Sequence, residues 1–289
     1  MGFFQTFWAW LHGQLATYIG TTTAKVAATL EPAIVTMSVV YVMVWGYLHL
    51  TGRIEEPFSV GLRRLITLAV VLGVSLHLWL YNAVIVDTFY QAPTQLAAAI
   101  AGAADPVTTI DTIWEQGGTV AGYLFADGGH WSISGFGYFI AGMAVWCLIG
   151  TLCVYTMFLI SLSSIALSVL LALGPLFFVA LLFEHTRRLF DAWIAQLTNY
   201  ALITVLTVLV STLLLQIVAS YTSQTVARGT GVMTVDSLDM VLVSVLVFLV
   251  MRQVMPIASG LASGVSLSSF GTVSRLMFWG ARQIRLGRG

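Results

Sequence analysis

Along the 289-residue chain, long apolar runs alternate with short polar breaks. Six apolar segments stand out, at about 27–50, 65–86, 136–160, 165–183, 200–218 and 238–255. Each is close to the run of about 20 apolar residues that a helix needs to cross a bilayer. Ahead of them Phe4, Phe7, Trp8, Leu11, Leu15, Tyr18 and Ile19 recur at helical spacing, with Gln5, Thr6, His12 and Gln14 mostly between. The stretch lacks the basic start of a cleaved signal peptide. Residues 1–26 are therefore predicted as an amphipathic helix lying in the membrane interface. The alternative is the same stripe packed on the protein's own helices. Residues 27–255 make up the transmembrane domain, and 256–289 form a Gly/Ser-rich and then basic tail. Residues 87–132 carry Asp105, Asp111, Glu115 and Asp127 but no Lys or Arg, which predicts a solvated loop.

Charge placement fixes the number of crossings. Short loops rich in Lys and Arg stay on the cytoplasmic side. Arg53, Arg63 and Arg64 follow the first segment, Arg187 and Arg188 follow the fourth, and Arg275, Arg282, Arg285 and Arg288 lie in the tail. Six crossings would put the second and third clusters outside. Five put all three inside, with the N-terminus and the acidic stretch outside. The segment expected not to cross is 165–183, which starts four residues after its neighbour and contains Gly174-Pro175. Proline removes a backbone donor and breaks the helical ladder. Such breaks are tolerated at membrane depth where protein or a water-filled cavity covers them. The expected fold is all-α: a polytopic helical membrane protein with about five transmembrane helices, an N-terminal interfacial helix and a re-entrant or broken helix. An ordinary kinked sixth span is the competing reading.

Composition agrees, with 58% hydrophobic residues, 8% charged and a mean hydropathy of +0.93. A soluble domain carries about 25% charged residues. The formal net charge is zero, so no overall field draws nucleic acid or anionic lipid. Cys147 and Cys153 sit six apart in one apolar run, on different helix faces, and are expected to be buried small hydrophobes.

Candidate chemistry is sparse. The five histidines, His12, His49, His77, His130 and His185, show no metal-ligand spacing, and the acids show no calcium-loop spacing. His77, deep in the second segment, suits an interhelical hydrogen bond better than a proton relay, with only Ser75 and Asn82 as polar companions. His130, Ser132 and Ser134 are interface neighbours, whereas an intramembrane protease draws its serine and base from separate helices. No phosphate-binding loop with lysine is present. The sequence predicts no catalytic, cofactor-binding or metal-binding residue. A secondary transporter or other permease would show an internal repeat with paired broken helices; here one Gly-Pro break stands alone.

The strongest local signal is Phe183-Glu184-His185-Thr186-Arg187-Arg188-Leu189-Phe190-Asp191-Ala192-Trp193. Glu184 can pair with Arg188 and Arg187 with Asp191, each four residues apart on a helix. Phe190, Trp193, Ile194 and Leu197 form an apolar stripe beside them. This predicts an amphipathic helix that either turns the chain between spans or docks a partner. Further on, Gly260 and Gly264 lie four apart among Ala258, Ser259, Ala262 and Ser263, a spacing that lets helix backbones approach closely.

These residues resemble the TrbL family, the polytopic inner-membrane subunit that stands sixth among the VirB-type components of type IV secretion systems. Three blocks carry the likeness. The first is Gly2-Phe3-Phe4 with Trp8 and Leu11, leading to Pro32, Trp45-Gly46-Tyr47 and Gly52. The second is Leu173-Gly174-Pro175-Leu176-Phe177 with Phe183 to Asp191 and Trp193. The third runs from Pro256 to Val265. The resemblance implies an outside N-terminus, about five spans, a large periplasmic loop and a cytoplasmic C-terminus in a bacterial inner membrane. It implies a platform for pilus and stalk assembly and for substrate transfer. The implied partners are the major pilin, the minor pilin of the stalk, other inner-membrane subunits, the secretion ATPase, phospholipid and further copies of the chain, five to a ring. Gly174, Pro175, Glu184, Arg187, Arg188, Phe190, Asp191, Trp193, Gly260 and Gly264 are the expected assembly residues.

Overall fold

The computed structural model describes residues 2–52, 58–102, 107–127, 133–181, 186–228 and 234–263. Helices make up nearly all of them, and no strand is present among the described residues. The chain divides into two compact units. One comprises Met1–Gln14, Ala92–Ile165 and Tyr200–Ser259, and the other Leu15–Gln91, Ala166–Asn199 and Gly260–Gly289.

The first helix, α1, runs from Phe3 to Leu50 without a break at residue 26, so the interfacial stretch and the first span are one element. Its 48 residues reach about 72 Å, well over twice the hydrocarbon thickness of a bilayer. Pro32 lies within it. The helix ends where Gly52 takes a φ of +66°, a left-handed conformation that favours glycine. Of the apolar stripe at its start, Phe4, Trp8, Leu11, Leu15 and Ile19 are buried inside the protein, and the same spacing continues through Thr23, Ala27 and Ile34. Phe3, Phe7, Trp10 and Tyr18 remain exposed on the other side.

Helix α2 covers Phe58–Leu76, where Gly61 lies so close to the Trp45 indole that a Cβ would collide with it. The second apolar segment does not continue straight. Residues Leu68–Val74 and Trp79–Ile100 are bent by 90° to each other, and His77 sits at the bend with its side chain exposed. His77 is therefore not deep in a straight span, as the pattern suggested. Beyond the bend come the short α3 (Leu78–Tyr81), a π-helix (Asn82–Gln91) and α4 (Ala92–Ala101). The wider π turn (a rare local geometry) carries Ile85, Val86 and Tyr90 into the protein.

The stretch 87–132 corrects a sequence expectation. Instead of a loop, it contains the end of the π-helix, α4 and the 20-residue α5 (Thr108–Asp127); Asp105 and His130 lie outside the described residues. Asp111 does not solvate the stretch either. It is buried, and its carboxylate accepts the Phe4 backbone N–H at 3.1 Å and the Gln5 N–H at 3.0 Å. First-turn amides of a helix have no intrahelical acceptor, and the positive end of the helix dipole favours an anion there. Asp111, in the first turn of its own helix, thus caps the start of α1. Gln5 Nε2 adds a bond to Thr108 Oγ1 at 2.8 Å, and a Cβ at Gly2 would strike the Asp111 carboxylate.

Helix α6 runs from Ile133 to Ala172, straight through Ser161-Leu162-Ser163-Ser164. The third predicted segment and the first part of the fourth are therefore one 40-residue helix. Serines continue a helix when their hydroxyls find acceptors: Ser163 Oγ bonds the Ile160 carbonyl at 2.9 Å and meets Thr204 Oγ1 of α8 at 2.7 Å. Helix α7 is Gly174–Ala180, α8 is Arg187–Arg228, and α9 is Thr234–Arg252, after which helix resumes over 254–263. The expected boundary between transmembrane domain and tail at 255 falls inside this resumed helix. Among the described residues four helices are long and apolar enough to span a bilayer, five if the bent pair counts as one span.

Candidate assembly site at the break after α6

The break in the fourth segment lies at Leu173, between α6 and α7. In an unbroken helix the amide of residue 175 would bond the carbonyl of Leu171, but Pro175 has no N–H. A carbonyl orphaned in a buried, apolar setting costs about 1–3 kcal/mol unless another donor reaches it. Here the Tyr81 hydroxyl donates to the Leu171 carbonyl at 2.6 Å. One residue back, the Trp193 indole Nε1 donates to the Leu170 carbonyl at 2.9 Å. The proline break thus frees one carbonyl, which Tyr81 satisfies, and Trp193 ties the neighbouring carbonyl to α8.

The geometry explains Gly174 as well. The Tyr81 ring lies directly on it, where a Cβ would overlap the phenol oxygen and ring carbons. Phe178 stands edge-on to Tyr81 with centroids 6.1 Å apart, to Phe190 at 5.2 Å and to Trp193 at 5.7 Å. Phe177 stacks on Trp193 at 5.5 Å and 13°. Edge-to-face and offset-stacked pairs at these separations are favourable ring geometries. Tyr81 and Trp193 are buried to 0% and 2% exposure, as a site whose polar tips serve backbone carbonyls requires.

Of the residues predicted from sequence, Gly174, Pro175, Phe190 and Trp193 come together here, all buried. Arg187 and Arg188 are exposed on the first turn of α8. Asp191 is half-buried, and its Oδ1 is shielded from solvent with no hydrogen-bond partner among the described residues, so pairing with Arg187 does not satisfy that oxygen. Glu184 and Gly264 lie outside the described residues. Gly260 is exposed on the resumed helix, with open space where a Cβ would be. Among the described residues no three His, Cys, Asp or Glu side chains gather as a metal site would. Cys153 is buried and Cys147 exposed.

Sequence reasoning missed Tyr81 and Asp111. Tyr81 reads as one more aromatic at the end of an apolar run. The available signal was Pro175 itself, which guarantees a free carbonyl four residues earlier. Asp111 reads as one of several acids solvating a loop, and nothing local points to α1.

Long apolar helices, a satisfied proline break and hydroxyl contacts between helices define a multi-pass helical membrane protein. Residues 38–254 match the family model described as TrbL/VirB6 plasmid conjugal transfer protein, and the chain belongs to that family. It is 24% identical over 293 aligned positions to the type IV secretion system protein VirB6 of Bartonella quintana (strain Toulouse), covering 96% of this chain and 87% of the relative. The same-named protein of Bartonella henselae is 22% identical over 276 positions, covering 91% and 82%. Protein VirB6 of Agrobacterium fabrum is 29% identical over 206 positions, covering 70% and 66%.

Proposed function

We propose that this chain is the inner-membrane platform subunit of a type IV secretion system, supporting pilus and stalk assembly and substrate transfer. The family match across 38–254 carries the reading. That span includes the whole break after α6, with Tyr81, Gly174, Pro175, Phe190 and Trp193. Its partners are the pilins, the other inner-membrane subunits and the ATPase of the machine, together with further copies of this chain in a ring of five. It works by assembly and not by a chemical step: the buried polar groups at its core hold helix ends and helix breaks together. The N-terminus faces the periplasm and the C-terminus the cytoplasm, with the exposed aromatic face of α1 (Phe3, Phe7, Trp10 and Tyr18) meeting the membrane interface.

Docking falls to the first turn of α8, with Glu184 just ahead of it. Arg187 and Arg188 are outward there and accessible to a partner. Gly260 on the last helix, followed in sequence by Gly264, offers a second close-contact surface. The double variant Arg187→Ala with Arg188→Ala should still insert and keep its helicity, yet lose co-purification with the rest of the machine. Normal assembly together with lost transport would overturn docking in favour of gating. For topology, cysteines introduced at Gly118 and at Arg188 in a cysteine-free background should label from opposite sides of the membrane. Labelling of both from the same side would reject five crossings.

A further inference from the structure

Below the break, α7 and α1 leave a surface groove of about 260 Å³, lined by Lys25, Val26, Thr29, Leu30 and Leu176. Four of these occupy one contiguous helical face of α1, and Leu176 closes the groove from α7, immediately after the buried Pro175. The walls are almost wholly apolar, and no carboxylate lines them. Thr29 contributes a methyl-bearing wall, because its hydroxyl is occupied by the Lys25 backbone carbonyl at 2.8 Å. The single polar feature is the ammonium of Lys25, the only lysine in the chain, exposed at the edge of the groove. It stands two residues ahead of the apolar run that begins at 27, so Val26, Thr29 and Leu30 lead from the cation toward the membrane-embedded part of the helix.

We infer that this groove binds one anionic phospholipid, with the headgroup phosphate on Lys25 and a stretch of acyl chain between α1 and Leu176. Charge complementarity selects this occupant. An apolar slot in a membrane protein fills with hydrocarbon, and a lone cation at its mouth favours a headgroup with net negative charge over a zwitterionic one. The lysine's own methylene stem can lie along the slot while its ammonium reaches the headgroup level. A buried acidic partner, which a peptide side chain would supply, finds no second donor here, whereas a phosphate at the membrane surface keeps its remaining oxygens hydrated. The opposite side of the same helix, with Thr23, Ala27 and Ile34, is turned into the protein, so lipid and protein divide α1 between them.

The test uses the full chain purified in a mild detergent and titrated with dioleoylphosphatidylglycerol or with dioleoylphosphatidylcholine. Bound lipid is counted by native mass spectrometry. The wild-type chain should hold one phosphatidylglycerol in preference to phosphatidylcholine. Lys25→Gln should weaken phosphatidylglycerol about fivefold, the factor expected for one basic side chain at a membrane surface, and leave phosphatidylcholine unchanged. Lys25→Arg should restore the preference. Leu176→Phe, which fills the groove, should weaken both lipids. Thr29→Phe blocks the groove from its exposed wall and carries the same expectation if Leu176→Phe does not fold. Equal binding of the two lipids by the wild-type chain, or unchanged phosphatidylglycerol binding by Lys25→Gln, would overturn headgroup recognition. Unchanged binding by a folded groove-filling variant would overturn the site. None of these outcomes depends on whether the chain assembles into a secretion machine.

Discussion

The second half of α1 and the end of α6 are both apolar helix, yet they are held in opposite ways. Both are apolar enough to cross a bilayer, but little of the apolar stretch of α1 is buried inside the protein, against nearly half of that in α6. Val35, Met37, Val39, Val40, Met43, Val44 and Tyr47 all face outward. At the end of α6, by contrast, Leu167, Ser168, Leu171 and Ala172 are buried in the protein, and the Leu171 carbonyl that the proline leaves free has a donor. Hydropathy alone does not separate the two regions. What separates them is backbone chemistry. Past Pro32, α1 carries no further proline, so residues 33–50 satisfy their own amides and can stand in lipid with no protein neighbour. A helix broken by proline must find outside donors, and those donors bring specific packing with them.

If that contrast is right, substitutions at the break should be costly and those on α1's outer face should not. The largest effect is expected for Gly174→Leu, which drives a side chain into the Tyr81 ring. It should cost about 3 kcal/mol, the upper range for overpacking a tight core, and be read as early loss of helicity on heating in detergent. A variant as stable as wild type would mean that the close approach at Gly174 is not a real constraint.

Tyr81→Phe keeps the ring against Phe178 but removes the donor to the Leu171 carbonyl. A cost of about 1–3 kcal/mol is expected in the same measurement. A cost near zero would show that the carbonyl finds another donor, such as water, and that the break is wet. The smallest effect is expected for Val40→Ala on the exposed face of α1, within about 0.5 kcal/mol of wild type. Should Val40→Ala match Tyr81→Phe, the outer half of α1 is packed against protein, and the contrast fails.

Much of this was legible in the residues. The length and purity of the apolar runs dictated a helical membrane protein, because no water-soluble chain can bury so much apolar surface with so few charges. Pro175 marked the break, and the block from Phe183 to Trp193 marked the neighbourhood of the site. Phe190 and Trp193 were picked by their spacing as an apolar stripe, and the structure packs both on Phe178 of α7, the helix that Gly174 and Pro175 begin. Gly52 ended α1 through a left-handed backbone that sequence can suggest directly.

Other features were settled only by tertiary contact. Ser161–Ser164 looked like a gap between two spans, but the Ser163 hydroxyl bonds both its own helix and Thr204, so the helix continues. Residues 87–132 looked like a solvated loop, but Asp111 is taken inside to cap α1, a helix that begins more than 100 positions away. The sequence by itself determined how much of the chain lies in lipid and where the backbone ladder must fail, since both follow from local composition and from the missing proline amide. Only the tertiary structure decided which side chains meet these backbone groups, Tyr81 at Leu171, Trp193 at Leu170 and Asp111 at Phe4 and Gln5. Any hydroxyl or indole can donate to a carbonyl and any carboxylate can accept from an amide; the fold alone brings the right one within about 3 Å.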